Sequence, residues 1–295
     1  DLRFKLCYRE QPVEVIQYNR DRVDLVVGSR LFGLAAKKGL EPLDGLLKKG
    51  HLDREDFYPA LLAAGIYERR QVLLPLSFNI PAVVFLSEGL RDTLPPLHIP
   101  IDALRELSGA FNQAVRSQWV RMGFPAMWNR EGLYLVAALK GASFREDPSG
   151  DLLWSSEGLE QAIAYLREWV EKLNGGYERE MEFSRRYLYE PPEKLLDARR
   201  ILFYLIDSGG LLGALRSQKE EADFHWLSSG EKILVGEEML FAGIPRTARN
   251  KAGARLFLEW LFQPQTQRAF LKLAMDRRLT TFGIAGGLSA LRGIN

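Results

Sequence analysis

The sequence reads as a soluble globular chain of mixed strands and helices, on three observations. Short apolar, β-branched runs bounded by proline and glycine alternate with stretches of helical periodicity. The 295 residues suffice for one large domain or two of ordinary size. Hydrophobic residues at 46% and charged residues at 26% describe an ordinary soluble globular chain. The 40 basic and 38 acidic residues are interspersed, for a net charge of +2. No contiguous basic block points to nucleic acid or an anionic membrane, so no nucleic-acid partner is expected. No transmembrane stretch or signal peptide is evident.

The first 29 residues hold three strand-like runs, at 2–8, 13–18 and 23–27. Parallel strands need crossovers of roughly 10–12 residues. The spacing therefore implies either antiparallel hairpins or residues missing between the runs, and we favour the latter. Cys7, the single cysteine, falls in the first run. It is expected to be a buried structural thiol rather than a nucleophile or lipidation site. Ser29 and Arg30 follow the third run, either as a cleft wall at a strand's carboxyl end or with Ser29 as a helix cap. Asp53 caps a helix reaching 64, delayed or kinked by Pro59.

Residues 74–86 are the organising stretch. Two prolines within an apolar run argue against a helix. Ser77 and Asn79, two residues apart on one strand face, either serve a cleft or cap turns at an edge. A helix over 101–112 and a strand over 119–124 follow. Trp128, Asn129, Glu131 and Tyr134 cluster at the start of an apolar run. The best helix spans 155–172, with Leu159, Ile163, Leu166 and Val170 at helical spacing and Trp169 beside them. Residues 201–206 read as a buried strand. They enter Asp207, Ser208, Gly209 and Gly210, a turn that either offers free N–H groups to a polar ligand or merely caps the next helix. Residues 233–244 are extended. A helix over 252–262 follows, with Leu256, Trp260 and Leu261 facing inward. Pro264 opens a further helix that includes Gln267, Phe270 and Leu271.

Four pieces in order, DLVVGS at 24–29, GLEPLD at 39–44, DFYP at 56–59 and LPLSFN at 74–79, resemble the first lobe of sugar-binding solute-binding proteins. These are the receptors of ABC importers, of the maltose-binding-protein-like kind. A second match is IPRTARNK at 244–251, then FLEWL at 257–261 and Pro264 with Gln267. The resemblance spans roughly 24–292 and is weaker in the middle. It implies a two-lobed periplasmic-binding-protein-like α/β fold with discontinuous lobes joined by hinge crossings near 80–86, 233–243 and 278–284. Lobe I would comprise 1–82 and 244–279, and lobe II 83–243 and 280–295. The implied ligand-binding residues are Ser29, Arg30, Ser77, Asn79, Trp128, Asn129, Glu131, Tyr134, Ser208, Gly209 and Glu237. Trp128 with the neighbouring amide and carboxylate suits a carbohydrate, whose C–H face packs on an aromatic ring while its hydroxyls take polar groups. Otherwise Trp128 is core and Asn129 a cap.

The resemblance implies capture of a sugar or oligosaccharide between two lobes and delivery to a membrane permease. The implied receptor is a monomer, periplasmic or on the cell surface, with lipid anchoring through a segment outside this chain as one option. It needs no cofactor, metal or catalytic group, and no triad, metal cluster or phosphate loop can be assembled from the residues. The alternatives are an interaction or adhesion protein on the same fold, and a sugar-active enzyme with two carboxylates facing a cleft.

Overall fold

Two sheets, one in each of two structural units, organise the chain in this computed structural model. The structure describes residues 5–8, 12–18, 23–48, 51–88, 90, 97–128, 132–147, 149, 151–230, 232–236 and 238–295. The first unit comprises Asp1–Asn79, Glu146–Asp151 and Gly236–Asn295, and the second Ile80–Arg145 and Leu152–Val235.

The first unit's sheet runs in the order Val26–Gly28, Leu240–Gly243, Leu74–Phe78, Leu288–Ser289, antiparallel throughout. Pro75 sits inside a central strand, where a missing N–H disturbs the ladder. The register accordingly shifts between Leu240 and Phe241, opposite Ser77 and Pro75. Leu74 and Leu76 enter one core cluster with Phe57, Leu258 and Phe262, whereas Leu73 and Phe241 enter another with Leu31 and Leu40. Asp53 caps only the short 3₁₀ turn Arg54–Asp56, its Oδ1 accepting from Glu55 N–H at 3.0 Å. The helix proper begins at Pro59, whose absent N–H costs nothing in a first turn.

In the second unit the Pro81–Leu86 strand lies between Tyr204–Asp207 and Ala222–Ser229, both antiparallel to it, and His98–Pro100 runs parallel to the latter. Its side chains alternate between two cores. Val83 and Phe85 pack with Ile99, Leu104 and Trp169; Ala82, Val84 and Leu86 pack with Phe183, Leu195 and Tyr204. A strand apolar on both faces is what a sheet covered on both sides requires. Each fully buried Val or Phe here stabilises by roughly 1.5–3 kcal/mol relative to exposure.

Several expectations are corrected. Residues 74–86 are two strands, and the chain passes from the first unit to the second between Asn79 and Ile80. Residues 81–86 are thus the centre of the second sheet, not a crossing. The chain returns between Val235 and Gly236, because Leu240–Gly243 pairs on both sides within the first sheet. The tail, expected in the second lobe with a crossing at 278–284, belongs to the first unit: Leu288 and Ser289 pair with Phe78 and Ser77. Ile284 and Leu291 provide the drive, being buried in that unit's core.

Near the start, Pro12–Tyr18 is a helix rather than a strand, with Val15 and Ile16 buried. Cys7 is exposed, not buried. The helix Ser156–Glu168 continues as a π-helical turn, Trp169–Leu173. Ile163, expected on its inner stripe, is exposed, and the buried positions are Gly158, Ala162, Trp169 and Val170. Small residues face inward because a Cβ at Gly158 would stand 2.6 Å from the Ala142 Cα. In the helix Lys251–Leu261, Leu256 and Trp260 point outward, while Ala254, Leu258 and Leu261 are buried.

Candidate functional site

In the first unit, the Val26–Gly28 strand delivers Ser29 and Arg30 to the turn that follows it. Arg30 adopts a left-handed φ of 61° and is exposed, with Ser29 half-buried. A non-glycine residue in that region is uncommon and marks a turn held by its surroundings. Phe32 follows, 38% exposed, its ring 6.1 Å from that of Phe241. Ser77 is buried within the central strand, in register with Leu240 and Ser289. Asn79 is half-buried where the chain leaves the unit, and its carbonyl accepts from Gly236 N–H at 2.6 Å. Tyr58 meets Phe78 edge-on at 5.6 Å.

In the second unit, Ser208 opens the helix Ser208–Ser217 directly after the Tyr204–Asp207 strand. It is fully buried. Its Oγ accepts from Ile80 N–H at 3.2 Å and its own N–H donates to the Ile80 carbonyl at 3.0 Å. Ser208 therefore fastens the first residue of the second unit to the start of a helix. Gly209 lies half-buried in that helix's first turn.

Trp128 is half-buried and packs on the cluster containing Met122, Phe183 and Tyr204. Tyr134 belongs to the helix Gly132–Leu139, is more than a third exposed, and its ring lies 5.3 Å from that of Phe144 at a tilt of 41°. The strand Leu152–Trp154 exposes all three side chains, with Trp154 at 54%. Asn129, Glu131 and Glu237 lie outside the described residues.

The segment bearing Trp128 is held by a buried polar network that the sequence did not disclose. Glu180, in the first turns of the helix Tyr177–Tyr187, is fully buried. One carboxylate oxygen accepts from Met127 N–H at 2.7 Å and the other from Asn174 Nδ2 at 2.8 Å. Asn174 also donates to the Phe124 carbonyl at 3.2 Å, and Asn112 Oδ1 accepts from Gly123 N–H at 2.7 Å. Burial pushes the Glu180 carboxyl above its ordinary value, against the pull of the Asn174 and Met127 hydrogen bonds. Three of these four bonds end on residues 123–127, immediately before Trp128, and the fourth ties Asn174 to Glu180.

Sequence reasoning missed Glu180, Phe144 and Trp154. Glu180 carries no local mark of burial. The LLW run at 152–154, preceded in the sequence by a proline and a glycine, was the available signal for a strand ending in an aromatic. In the second unit the exposed aromatics present flat apolar faces, and in the first unit Ser29, Arg30 and Asn79 present polar groups. Among the described residues, no three His, Cys, Asp or Glu side chains gather to hold a metal ion. None of the described helices is long and apolar enough to cross a membrane.

No protein-family model and no curated protein sequence matches the chain. Solved structures match its fold. CpMnBP1 with mannotriose bound is 18% identical with a TM-score of 0.59, over 93% of this chain and 71% of that one. The ABC substrate-binding protein Lmo0181 from Listeria monocytogenes, in complex with cycloalternan, is 14% identical with a TM-score of 0.61, over 95% and 69%. An ABC transporter solute-binding protein from Thermotoga lettingae TMO, bound with α-D-tagatose, is 15% identical with a TM-score of 0.57, over 89% and 68%.

Proposed function

Starting from the two-lobed α/β fold of ABC solute-binding proteins, which this chain has, we propose that it is the substrate-binding receptor of an ABC importer and that its solute is a sugar or oligosaccharide. The observation that carries this reading is the match over 93–95% of the chain to proteins solved with mannotriose and cycloalternan bound. These neighbours are binding proteins, and the proposal is for binding without turnover. The aromatic faces of Trp128, Tyr134, Phe144 and Trp154 are the proposed platforms for the sugar's C–H surfaces. Ser29, Arg30 and Asn79 are proposed to take its hydroxyls, with Asn129, Glu131 and Glu237 as further candidates and Gly209 offering its backbone. Ser77 and Ser208 are proposed to act by positioning, since both are buried. The remaining parts of the proposal are a membrane permease as partner, a monomeric receptor, and a periplasmic or cell-surface location with lipid anchoring.

A thermal-shift screen tests it. Protein refolded after unfolding, to strip carried ligand, is challenged with mannobiose, mannotriose, cycloalternan, tagatose, sugar phosphates, polyols and amino acids. A ligand at ~100 times its dissociation constant stabilises by about 2.7 kcal/mol, which moves the midpoint by several degrees. A shift with one carbohydrate class, and no product by chromatography, is expected. Silence for every carbohydrate, or turnover of one, overturns the proposal.

A further inference from the structure

Two helices of the first unit, Lys251–Leu261 and Pro264–Asp276, present a surface that neither the core nor sugar capture accounts for. Leu256 and Trp260 on the first, at 56% and 48% exposure, and Phe270 and Leu273 on the second, at 37% and 47%, all stand in solvent. They are not scattered. Trp260 lies 5.4 Å from Phe257 and meets Phe270 edge-on at 5.6 Å, so the rings form one apolar ridge running from helix to helix. Single exposed apolar residues need no explanation, whereas a contiguous aromatic patch does.

The ridge is set in positive charge. Arg255 adjoins Leu256, Lys272 adjoins Leu273, and Arg277 follows one helical turn after Leu273; all three are exposed. Residues 246–279 contain eight Lys and Arg against two acids, Glu259 and Asp276. That surplus of six sits in a chain whose net charge is +2, so the remaining sequence is net −4. Of the two acids, Glu259 is already engaged, by His51 Nδ1 at 2.8 Å. From 252 to 278 the exposed side chains are apolar or basic, with Gln265 and Asp276 as the exceptions. The basic residues are separated in sequence and stand exposed along both helices.

We infer that this face binds the surface of an anionic lipid membrane. Aromatic and aliphatic side chains entering the headgroup boundary, flanked by Arg and Lys that meet anionic headgroups, are the combination such a surface selects. A lipid boundary demands no directional hydrogen bonding, which suits a patch so poor in amide and hydroxyl groups. A second copy of the chain is disfavoured by charge, because a two-fold pairing of this face would set like charges against each other. The inference does not depend on which solute the chain carries, or on whether it carries one.

Vesicle co-sedimentation of the full chain tests it, comparing pure phosphatidylcholine with a 3:1 mixture of phosphatidylcholine and phosphatidylglycerol. Binding to the anionic vesicles at low salt is expected, with little on the neutral ones and release at high salt. Each basic residue near the surface is worth roughly fivefold in partitioning. The triple variant Arg255→Gln, Lys272→Gln, Arg277→Gln should therefore bind about a hundredfold more weakly, and Trp260→Ser with Leu273→Ser should also lose binding. Unchanged melting temperatures certify that these surface variants are folded. No binding to anionic vesicles, or binding that both variants retain, overturns the inference. So does a concentration-dependent dimer that the same variants dissociate, since a second copy then covers the face.

Discussion

Replacing Glu180 with alanine should destabilise the second unit and loosen the segment that carries Trp128. The substitution strips a part-buried and a buried donor of their acceptor at once: Met127 N–H, bonded at 2.7 Å, and Asn174 Nδ2, bonded at 2.8 Å. Each unsatisfied buried donor costs about 1–3 kcal/mol. Relief of the desolvation that now opposes the carboxylate offsets part of this, and the cavity left by one methylene and a carboxyl adds to it. The net loss should be about 2–4 kcal/mol. For a unit of about 150 residues, each kcal/mol lowers the midpoint by about 2–4 °C. Differential scanning calorimetry at pH 7 should show a drop of about 5–15 °C. Tryptophan emission should also shift red as Trp128 loses its packing. A midpoint within 1 °C of the parent would refute the reasoning, since the carboxylate would then be dispensable to the segment bonded to it.

The same residue sets a pH dependence. Its native carboxyl is raised above the ordinary 4.5 by burial, so the folded chain binds the proton more tightly than the unfolded one. That contribution is fully present below about pH 4.5 and is lost as pH rises through the native value. The parent's stability relative to Glu180→Gln should therefore fall with rising pH across that window, and a pH-independent difference would contradict this. Ser289→Ala should cost the first unit about 2–4 kcal/mol in urea unfolding. Leu291 N–H loses the Ser289 Oγ at 3.0 Å and the buried Gln267 Oε1 loses its donor; a loss below 1 kcal/mol would discount that cluster. Gly123→Ala should cost at least about 2 kcal/mol. A Cβ there would stand 2.4 Å from the Ser108 carbonyl oxygen, and any retreat disturbs the Leu202 and Phe203 N–H bonds to Gly123. Trp154→Ala should weaken sugar affinity by up to about tenfold in calorimetric titration while leaving the melting temperature unchanged. Full affinity would remove Trp154 from the site.

What the sequence determined by itself is local and periodic. That Pro59 disturbs the helix expected from Asp53 was legible, because proline fixes its own backbone angle, but whether it kinks the helix or delays its start was left open. The apolar, proline-bearing run at 74–86 was legible as strand rather than helix, and both of its pieces are strands. The motifs at 24–79 and 244–267 pointed to the solute-binding fold, whose likeness to solved structures spans nearly the whole chain. Other features depended on contacts distant in sequence. The tail joins the first unit because Leu288 and Ser289 find the free edge of Leu74–Phe78, a pairing no local propensity encodes. Leu256 and Trp260 looked inward by spacing, but which stripe of a helix is buried depends on the surface it meets, and Leu258 and Leu261 won that place. Glu180 reads as one more surface acid until Asn174 and Met127 are folded against it. Trp260 and Phe270 become one aromatic ridge only when the two helices are laid side by side. Tertiary structure decided these because burial and convergence are properties of what surrounds a residue, and the surroundings are assembled from the whole chain.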